Sequence, residues 1–289
     1  MTLEEVLEKA AAALAAGDHA EAGRLARLVL SKLPYQPVAL ATLAAVAPAE
    51  EALGCYGRAV AHLDKVAQST LVDHGLQVLR GRGFAPASIL DVGAYDGRWT
   101  LGVLRHFPQA RVLMVEPQQR MRPALDEVCR QHPNVSVRTI LVGREDRAEV
   151  PFFQMETPFG STGSSIYAEQ TGFERHAVPM PMHRLDAVVA EAGGGPFQLV
   201  KLDVQGAELD VLAGAPGVVE AAELIVAEIS VVDYNLGAPS AADVIAFLDA
   251  RGFALFDLFP MARTPDGALL QTDALFLRKD SAFRPRPPF

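Results

Sequence analysis

Cysteine, basic charge and long apolar runs are all scarce in this sequence. The chain of 289 residues has two cysteines, Cys55 and Cys129, whose spacing fits neither a disulfide framework nor a metal-binding motif. Lysine and arginine number 26 against 35 aspartates and glutamates, which gives a formal net charge of −9. Because nucleic-acid binding requires a basic surface, this balance and the lack of a basic run argue against a nucleic-acid partner.

The sequence also predicts neither a membrane span nor a secretory leader. No apolar run approaches the roughly 20 residues that a helix needs to cross a bilayer. The first residues include Glu4, Glu5 and Glu8, where a leader would carry basic residues followed by an apolar segment. Apolar residues make up 50% of the chain, as in ordinary globular proteins, so we expect a folded protein in the cytoplasm.

The N-terminal region has a helical pattern. Apolar residues recur at steps of three and four, the spacing of one helix face, at Leu3, Val6, Leu7, Ala10, Ala13 and Leu14. Further helices are predicted at His19–Lys32, Pro37–Ala47 and Ala49–Val66. The first two helices resemble one tetratricopeptide unit through Gly17, Asp18, Ala22, Leu30 and Pro34. Since a lone unit cannot bury its faces, we expect residues 1–82 to pack on the large domain, form a homodimer or bind a partner protein.

From Ser88 onward, strands and helices alternate, which predicts a parallel α/β sheet with helices on both faces. The predicted strands are Ser88–Gly93, Arg111–Glu116, Val135–Val142, Phe197–Val204 and Leu224–Ser230. The predicted helices are Arg98–Phe107, Pro117–Gln131, Ala207–Leu212 and Ala241–Arg251. We expect Phe253–Pro260 and Ala268–Arg278 to form a closing antiparallel pair. We expect Ala148–Met155 and Ala177–Leu185 to form a β insertion around the loop Thr157–Gln170. This domain covers residues 83–280, and residues 281–289 are expected to be a flexible tail.

The turn after the first predicted strand carries the strongest chemical signal, D-V-G-A-Y-D-G-R-W-T from Asp91 to Thr100. Ligands of open α/β sheets bind beyond the carboxyl ends of the strands, where Gly93 and Gly97 let a ligand lie against bare backbone. The glycine spacing differs from the G-x-G-x-x-G dinucleotide motif, and Asp96 would repel a pyrophosphate. A ligand with ammonium and sulfonium groups suits that carboxylate, which favours S-adenosylmethionine over NAD. Glu116, which ends the second strand, is placed to accept both ribose hydroxyls.

A second polar segment follows the predicted strand Phe197–Val204. Lys201 and Asp203 are two residues apart and therefore lie on one face of that strand, and Glu208 falls in the first turn of the next helix. Buried strands seldom carry a lysine and a carboxylate on one face unless these groups pair or act in catalysis. Both a structural ion pair with a helix-capping Asp203 and a catalytic cluster fit this pattern.

In their order along the chain, these motifs resemble the FkbM family of S-adenosylmethionine-dependent methyltransferases. The similarity includes Asp91–Thr100, Glu116-Pro117, the loop Gly160–Ser165, Leu185-Asp186, and K-x-D-x-x-G-x-E-x-x-V-L-x-G-A from Lys201 to Ala215. It implies a Rossmann-like class I methyltransferase sheet, here preceded by a small all-helical domain. The family acts mostly on hydroxyls of sugars, glycans, polyketides and related metabolites. The resemblance therefore implies an O-methyltransferase with a small-molecule or glycan acceptor.

The resemblance and the strand-end positions together suggest which residues bind S-adenosylmethionine. We expect Asp91, Gly93, Ala94, Tyr95, Asp96, Gly97, Thr100, Glu116, Pro117, Gln118, Val142, Ser165 and Asp203 to contact it. Tyr95 or Trp99 is expected to lie beside the sulfonium, and Ser164 or Ser165 to contact the cofactor or the acceptor from a lid-like loop.

Methyl transfer to a hydroxyl requires alignment and a proton acceptor. Asp203 is the first candidate for the base, with Lys201 or Glu208 orienting it, and Glu228 and His183 are the other candidates. One departure from the family pattern is Gln205, which stands where the family usually has glutamate. The nearby carboxylates could hold Mg²⁺, but no spacing demands a metal and none is predicted.

Two other functions fit the sequence less well. A non-catalytic interaction protein, recruited through its N-terminal helices, would fit the change at Gln205 but not the presence of the other motif acids. An NAD-dependent oxidoreductase does not fit the glycine spacing.

Overall fold

The structure, a computed structural model, describes residues 3–31, 33, 36–55, 74–156, 163–170, 172, 174–264 and 267–285. The chain divides into two compact units, Met1–Thr70 and Leu71–Phe289. In the described part of the chain, no helix combines the length and the apolar composition that crossing a membrane would require.

The smaller unit is helical, as predicted. It contains α1 (Leu3–Ala15), α2 (His19–Leu30) and α3 (Pro37–Val46), and residues 49–55 are also helical. The Asp18 carboxylate caps α2 by accepting the Glu21 amide N–H at 3.1 Å, and the Gln36 side chain caps α3 in the same way. The helices bury a shared apolar cluster. The rest of the predicted helix Ala49–Val66 lies outside the described residues.

The larger unit is built on a seven-stranded sheet of order β3-β2-β1-β7-β8-β10-β9. Its strands are β1 (Ser88–Val92), β2 (Arg111–Val115), β3 (Val135–Arg138), β7 (Leu199–Leu202), β8 (Leu224–Ser230), β9 (Phe253–Arg263) and β10 (Leu269–Arg278). The five strands β3, β2, β1, β7 and β8 are parallel to one another. Strand β10 lies between β8 and β9 and is antiparallel to both. The predicted Rossmann-like sheet with a closing antiparallel pair is therefore confirmed.

Helices cover both faces of this sheet, because neighbouring residues of a strand point to opposite sides. They are α4 (Arg98–His106), α5 (Arg122–Gln131), α6 (Leu185–Glu191), α7 (Glu208–Ala213), α8 (Pro216–Ala221) and α9 (Ala241–Asp249). In β1, Ile89 packs in the cluster that includes residues of α4 and α5, whereas Leu90 and Val92 pack with residues of α6 to α9. The sheet thus forms the central layer of three.

A second sheet of three strands forms the predicted β insertion, in the order β4-β6-β5. Its strands are β4 (Leu141–Gly143), β5 (Arg147–Glu156) and β6 (Glu174–Arg184). The prediction of one strand over Val135–Val142 was wrong, because this segment divides between the two sheets as β3 and β4. A single regular strand would place exposed Arg138 on the same face as buried Val142.

Three further differences concern short or terminal elements. The predicted helix Pro117–Gln131 begins only at Arg122, after the 3-10 turn Gln119–Met121, and α6 and α8 were not predicted. Residues 74–82 belong to the larger unit and not to the N-terminal region, because Leu76 and Leu79 are buried in its core. Part of the expected flexible tail, residues 281–285, is described, and Phe283 in it packs edge-on against Phe84 at 5.4 Å between ring centroids. Residues 286–289 lie outside the described residues.

Gly214, at the end of α7, gives a test of how the helix layer contacts the second sheet. A Cβ atom at this position would lie 2.0 Å from the carbonyl oxygen of Gly143 in β4. We expect Gly214→Ala to lower the free energy of unfolding in urea by about 2 kcal/mol, because the backbones must move apart. The control is Gly102→Ala in α4, whose added Cβ would meet nothing closer than an Arg105 nitrogen at 3.7 Å. This control should keep or raise stability, and equal losses in both variants would contradict the prediction.

Candidate active site

The turn after β1 lies directly against the end of β7. Gly93 has φ +81°, and a Cβ atom there would lie 1.8 Å from the carbonyl oxygen of Asp203. The Asp203 amide in turn donates to the Val92 carbonyl at 3.0 Å. Tyr95 adopts a left-handed φ of 49°, and its amide donates to the Glu116 carboxylate at 2.9 Å. The turn is therefore fixed by backbone contacts to both neighbouring strands.

Asp91 lies beneath this turn and is fully buried. One carboxylate oxygen, Oδ2, accepts the Thr100 hydroxyl at 2.6 Å, and Oδ1 has no hydrogen-bond partner among the described residues. Burial raises the pKa of Asp91 to about 6, against the opposing charge of Lys201. Asp91 and Thr100 thus join β1 to the start of α4 and do not line the cavity described next.

A cavity opens at the carboxyl ends of β1, β2 and β7, where the sheet topology predicts a ligand site. Its non-atom space is about 430 Å³, including the part open to solvent. Its wall is mostly apolar, with carboxylates and serines at a few points. The lining residues are Val92, Gly93, Val115, Glu116, Pro117, Leu141, Val142, Phe152, Ser164, Ser165, Ile166, Asp203, Val204 and Ala207.

Glu116 presents its carboxylate to this cavity from the end of β2. Its two oxygens accept the amide N–H groups of Tyr95 and Gln118, both at 2.9 Å. Because each carboxylate oxygen has two lone pairs, each can accept one further hydrogen bond. Burial raises the pKa of Glu116 to about 6, although the two amide donors favour the ionised form.

Lys201 and Asp203 form a buried ion pair on β7. The Lys201 ammonium lies 2.9 Å from Asp203 Oδ2, and its side chain is 4% exposed. In the sheet Lys201 is also the direct neighbour of Asp91 on β1. Burial acts to lower the pKa of Lys201, but the charges of Asp203, Asp273 and Asp91 outweigh it and hold that pKa above its usual value. Lys201 therefore stays charged.

Asp203 is the carboxylate of the pair that faces the cavity. Burial acts to raise the pKa of Asp203, but Lys201 and the Gln205 amide hold it below its usual value. Its side chain is 31% exposed. Asp203 is consequently ionised at neutral pH and open to a ligand.

Glu228, on β8, lies next to this pair. Its two carboxylate oxygens accept the side-chain amides of Gln205 and Gln271, each at 2.5 Å. Burial, followed by the charges of Asp203 and Asp273, raises the pKa of Glu228 well above its usual value. Asp273 faces Glu228 directly across the β8–β10 pair, and burial raises its pKa to about 6.

Glu208 supports the turn between β7 and α7. Its Oε1 accepts the amide N–H groups of Val204 and Gly206 at 3.1 and 3.3 Å. Burial raises the pKa of Glu208 to about 7. It does not line the cavity, so it orients the backbone after Asp203.

The structure places six of the thirteen residues predicted to bind the cofactor on the cavity wall. Gly93, Glu116, Pro117, Val142, Ser165 and Asp203 line the cavity, and Lys201 and Glu228 adjoin it through the contacts above. His183 lies elsewhere: its side chain is 42% exposed, with Nδ1 3.7 Å from the Asp146 carboxylate. Asp96 is outside the cavity lining and pairs with Arg98 at 2.9 Å.

Sequence reasoning missed the part of the cavity wall that comes from distant segments. Leu141, Phe152, Ile166 and Ala207 contribute apolar surface. The first two belong to β4 and β5 of the second sheet. Each is an ordinary buried apolar residue in the sequence, so no local pattern marks it as part of a site.

Comparison with known proteins links this geometry to one family. The Methyltransferase FkbM domain model matches residues 91–255, more than half of the chain. The chain is 30% identical over 163 residues to the AMB antimetabolite synthetase AmbE of Pseudomonas aeruginosa, covering 44% of this chain and 8% of that protein. It is 29% identical over 145 residues to Methyltransferase 1 of Beauveria bassiana, covering 44% of this chain and 57% of that protein. The matched part thus spans less than two thirds of the length of either relative.

Comparison with solved structures gives a weaker similarity. The crystal structure of the methyltransferase FkbM from Methylobacillus flagellatus aligns with 66% of this chain and 43% of that chain. The sequence identity is 17% and the TM-score is 0.44.

The raised pKa of Glu208 predicts a pH dependence of stability. The folded state keeps the Glu208 carboxyl neutral up to about pH 7, whereas in the unfolded chain this carboxyl has the usual glutamate pKa of 4.5. The contribution of neutral Glu208 to folding stability is therefore complete below the pKa of the unfolded state, and it is lost as the pH rises through 7. Relative to wild type, Glu208→Gln should gain roughly 3 kcal/mol of unfolding free energy between pH 4 and pH 8, since one pKa unit corresponds to about 1.4 kcal/mol. Denaturant unfolding at several pH values measures this difference.

The exposed Glu220→Gln variant is the control for losing one negative charge. Its stability should follow that of wild type across the same pH range. A Glu208→Gln profile parallel to wild type would show that burial does not hold this carboxyl neutral.

Proposed function

Because the chain belongs to the FkbM family of methyltransferases, we propose that it is an S-adenosylmethionine-dependent O-methyltransferase acting on a hydroxyl of a sugar, glycan or secondary metabolite. The observation that carries this proposal is the cavity between the Gly93 turn, Glu116 and Asp203. The wall of this cavity combines the uncovered backbone at Gly93, the Glu116 carboxylate for binding a ribose, and the ionised Asp203 carboxylate for catalysis.

The residues around the cavity fit S-adenosylmethionine. The Glu116 oxygens can each accept a ribose hydroxyl in addition to their amide donors. Gly93 leaves the backbone uncovered, and Val142 and Phe152 provide apolar surface for the adenine. When bound, this cofactor supplies a methyl group on a positively charged sulfur.

The charge of the site also suits a cationic ligand. Four carboxylates lie close enough to interact electrostatically with one another or with the Lys201 ammonium. They are Asp203, Glu228, Asp91 and Asp273. Burial and repulsion by the charge of Asp203 raise the pKa values of Asp91, Glu228 and Asp273, whereas Lys201 holds the pKa of Asp203 below its usual value. A positively charged ligand offsets that repulsion, whereas a pyrophosphate adds to it.

Asp203 is the proposed base. It is ionised, partly exposed and part of the cavity wall, so it can accept the proton of an acceptor hydroxyl. Lys201 and Gln205 hold its two oxygens from behind and fix its orientation. Glu228 is 4% exposed and both of its oxygens accept amide N–H groups, so it supports Asp203 and does not act directly. His183 lies outside the cavity lining and is left out of the proposed catalytic set.

The acceptor is proposed to enter beside the segment that contains Ser164 and Ser165. The Ser165 hydroxyl donates to the Val204 carbonyl at 3.2 Å, which joins this segment to the turn after Asp203. One relative is described as an antimetabolite synthetase, in agreement with a secondary metabolite as acceptor.

We further propose a cytoplasmic location and a homodimer or partner-protein contact through the N-terminal helices.

Calorimetric titration tests the cofactor. We expect S-adenosylmethionine to bind wild type and NAD not to bind. Gly93→Asp should abolish binding, because the new side chain meets the Asp203 carbonyl and adds a charge beside the cavity. Gly81→Asp is the control, since a Cβ atom at Gly81 has no neighbour within 4 Å. Binding of NAD without binding of S-adenosylmethionine would overturn the proposal.

Turnover tests the base. Asp203→Asn should retain cofactor binding and lower methyl transfer by roughly 10² to 10⁴-fold, the usual contribution of a positioned base. Formation of S-adenosylhomocysteine is measured with a panel of nucleotide sugars, glycans and polyketide alcohols. The exposed Asp249→Asn variant serves as control. An Asp203→Asn enzyme as fast as wild type would remove Asp203 from the mechanism.

A further inference from the structure

The backbone around Gln205 is held in an uncommon conformation. Gln205 has φ +55°, in the left-handed region that disfavours side chains, and Gly206 follows with φ +95°. The Gln205 carbonyl accepts the Asn235 side-chain amide at 3.0 Å. A Cβ atom at Gly206 would approach the Ala238 Cβ to 2.9 Å. The turn is thus fixed from two sides, and it directs the Gln205 side chain back toward the carboxylates.

The Gln205 amide joins two carboxylates through a single nitrogen. Nε2 donates to Asp203 Oδ1 at 2.7 Å and to Glu228 Oε2 at 2.5 Å. An amide group carries two N–H bonds, so both are used in these contacts. The other Asp203 oxygen pairs with Lys201, and the other Glu228 oxygen accepts from Gln271. All four carboxylate oxygens are therefore held by nitrogen donors.

We propose that Gln205 is a positioning residue whose amide nitrogen takes the place of a divalent cation between Asp203 and Glu228. It would fix the orientation of Asp203 while leaving that carboxylate free to accept a proton. This inference rests on the proposed role of Asp203 as the base.

The distances support this substitution. One nitrogen lies within hydrogen-bond distance of an oxygen of each carboxylate, at 2.7 and 2.5 Å, so it occupies the point between them that a bridging cation would need. The N–H groups present positive charge to both carboxylates, so a cation at the same point would meet a repulsive dipole. A glutamate at position 205 would reverse this arrangement, because its oxygen would join those of Asp203 and Glu228 as a third anionic ligand.

Manganese binding tests the proposal. Electron paramagnetic resonance is used to titrate Mn²⁺ into wild type, Gln205→Glu and Gln271→Glu, without cofactor. The matched control Gln271→Glu also turns an amide donor of Glu228 into a carboxylate, but the hydrogen bonds of the Gln271 side chain among the described residues go to Glu228 and Tyr234, not to Asp203. We expect Gln205→Glu to bind one Mn²⁺ at least about ten-fold more tightly than either other protein. Wild-type binding as tight as that of Gln205→Glu, or an equal gain in Gln271→Glu, would overturn the proposal.

A second variant covers the case in which Gln205→Glu does not fold. Gln205→Ala removes the bridging amide and leaves Asp203 and Glu228 facing one another. Its Mn²⁺ affinity should also exceed that of wild type, and an unchanged affinity would contradict the proposal.

Cofactor titration of the same proteins separates this inference from the proposed function. If wild type binds S-adenosylmethionine and neither Gln205 variant gains Mn²⁺ affinity, the inference fails and the function stands. If wild type does not bind S-adenosylmethionine, the function fails, and the Mn²⁺ comparison still decides what the Gln205 amide does.

Discussion

The close approach of two backbone segments, at Gly93 and Asp203, determines the arrangement of the site. The Gly93 Cα lies against the Asp203 carbonyl with no space for a side chain, and the Asp203 amide bonds the Val92 carbonyl. This contact fixes the end of β7 beside the turn after β1. It therefore places the Asp203 carboxylate and the uncovered backbone of the turn on one cavity, while the Tyr95 amide orients Glu116 on its other side. Any side chain at position 93 would push the end of β7 away from the turn after β1. The cavity residues on both segments would then be displaced at the same time.

Charge balance at the strand ends complements this backbone contact. Lys201 neighbours both Asp91 and Asp203, and its positive charge compensates for these two carboxylates. Glu228 and Asp273 lie opposite one another on the adjacent strands β8 and β10, and the pKa values of both are raised. Burying so many acids costs stability unless hydrogen bonds and opposite charges offset it. The side-chain amides of Gln205 and Gln271 supply hydrogen bonds without adding charge. The resulting site has more carboxylates than cations among these residues.

Much of the larger unit was predictable from sequence because its signals are local. The apolar run ending at Gly93 identifies β1, and the spacing of Lys201 and Asp203 predicts that they share one face of a strand. The failures have a different origin. The division of Val135–Val142 into β3 and β4, and the contribution of Phe152 to the cavity, depend on pairing between strands far apart in sequence. His183 looked like a base by residue type alone, but its position on β6 places it beside Asp146.

The most direct measurement is a crystal structure of the protein with S-adenosylhomocysteine. The account predicts that the ligand lies in the cavity beside Gly93, with its ribose hydroxyls within hydrogen-bond distance of the Glu116 carboxylate and its sulfur on the side of Asp203. A ligand bound elsewhere, or side chains filling the cavity beside Gly93, would contradict it.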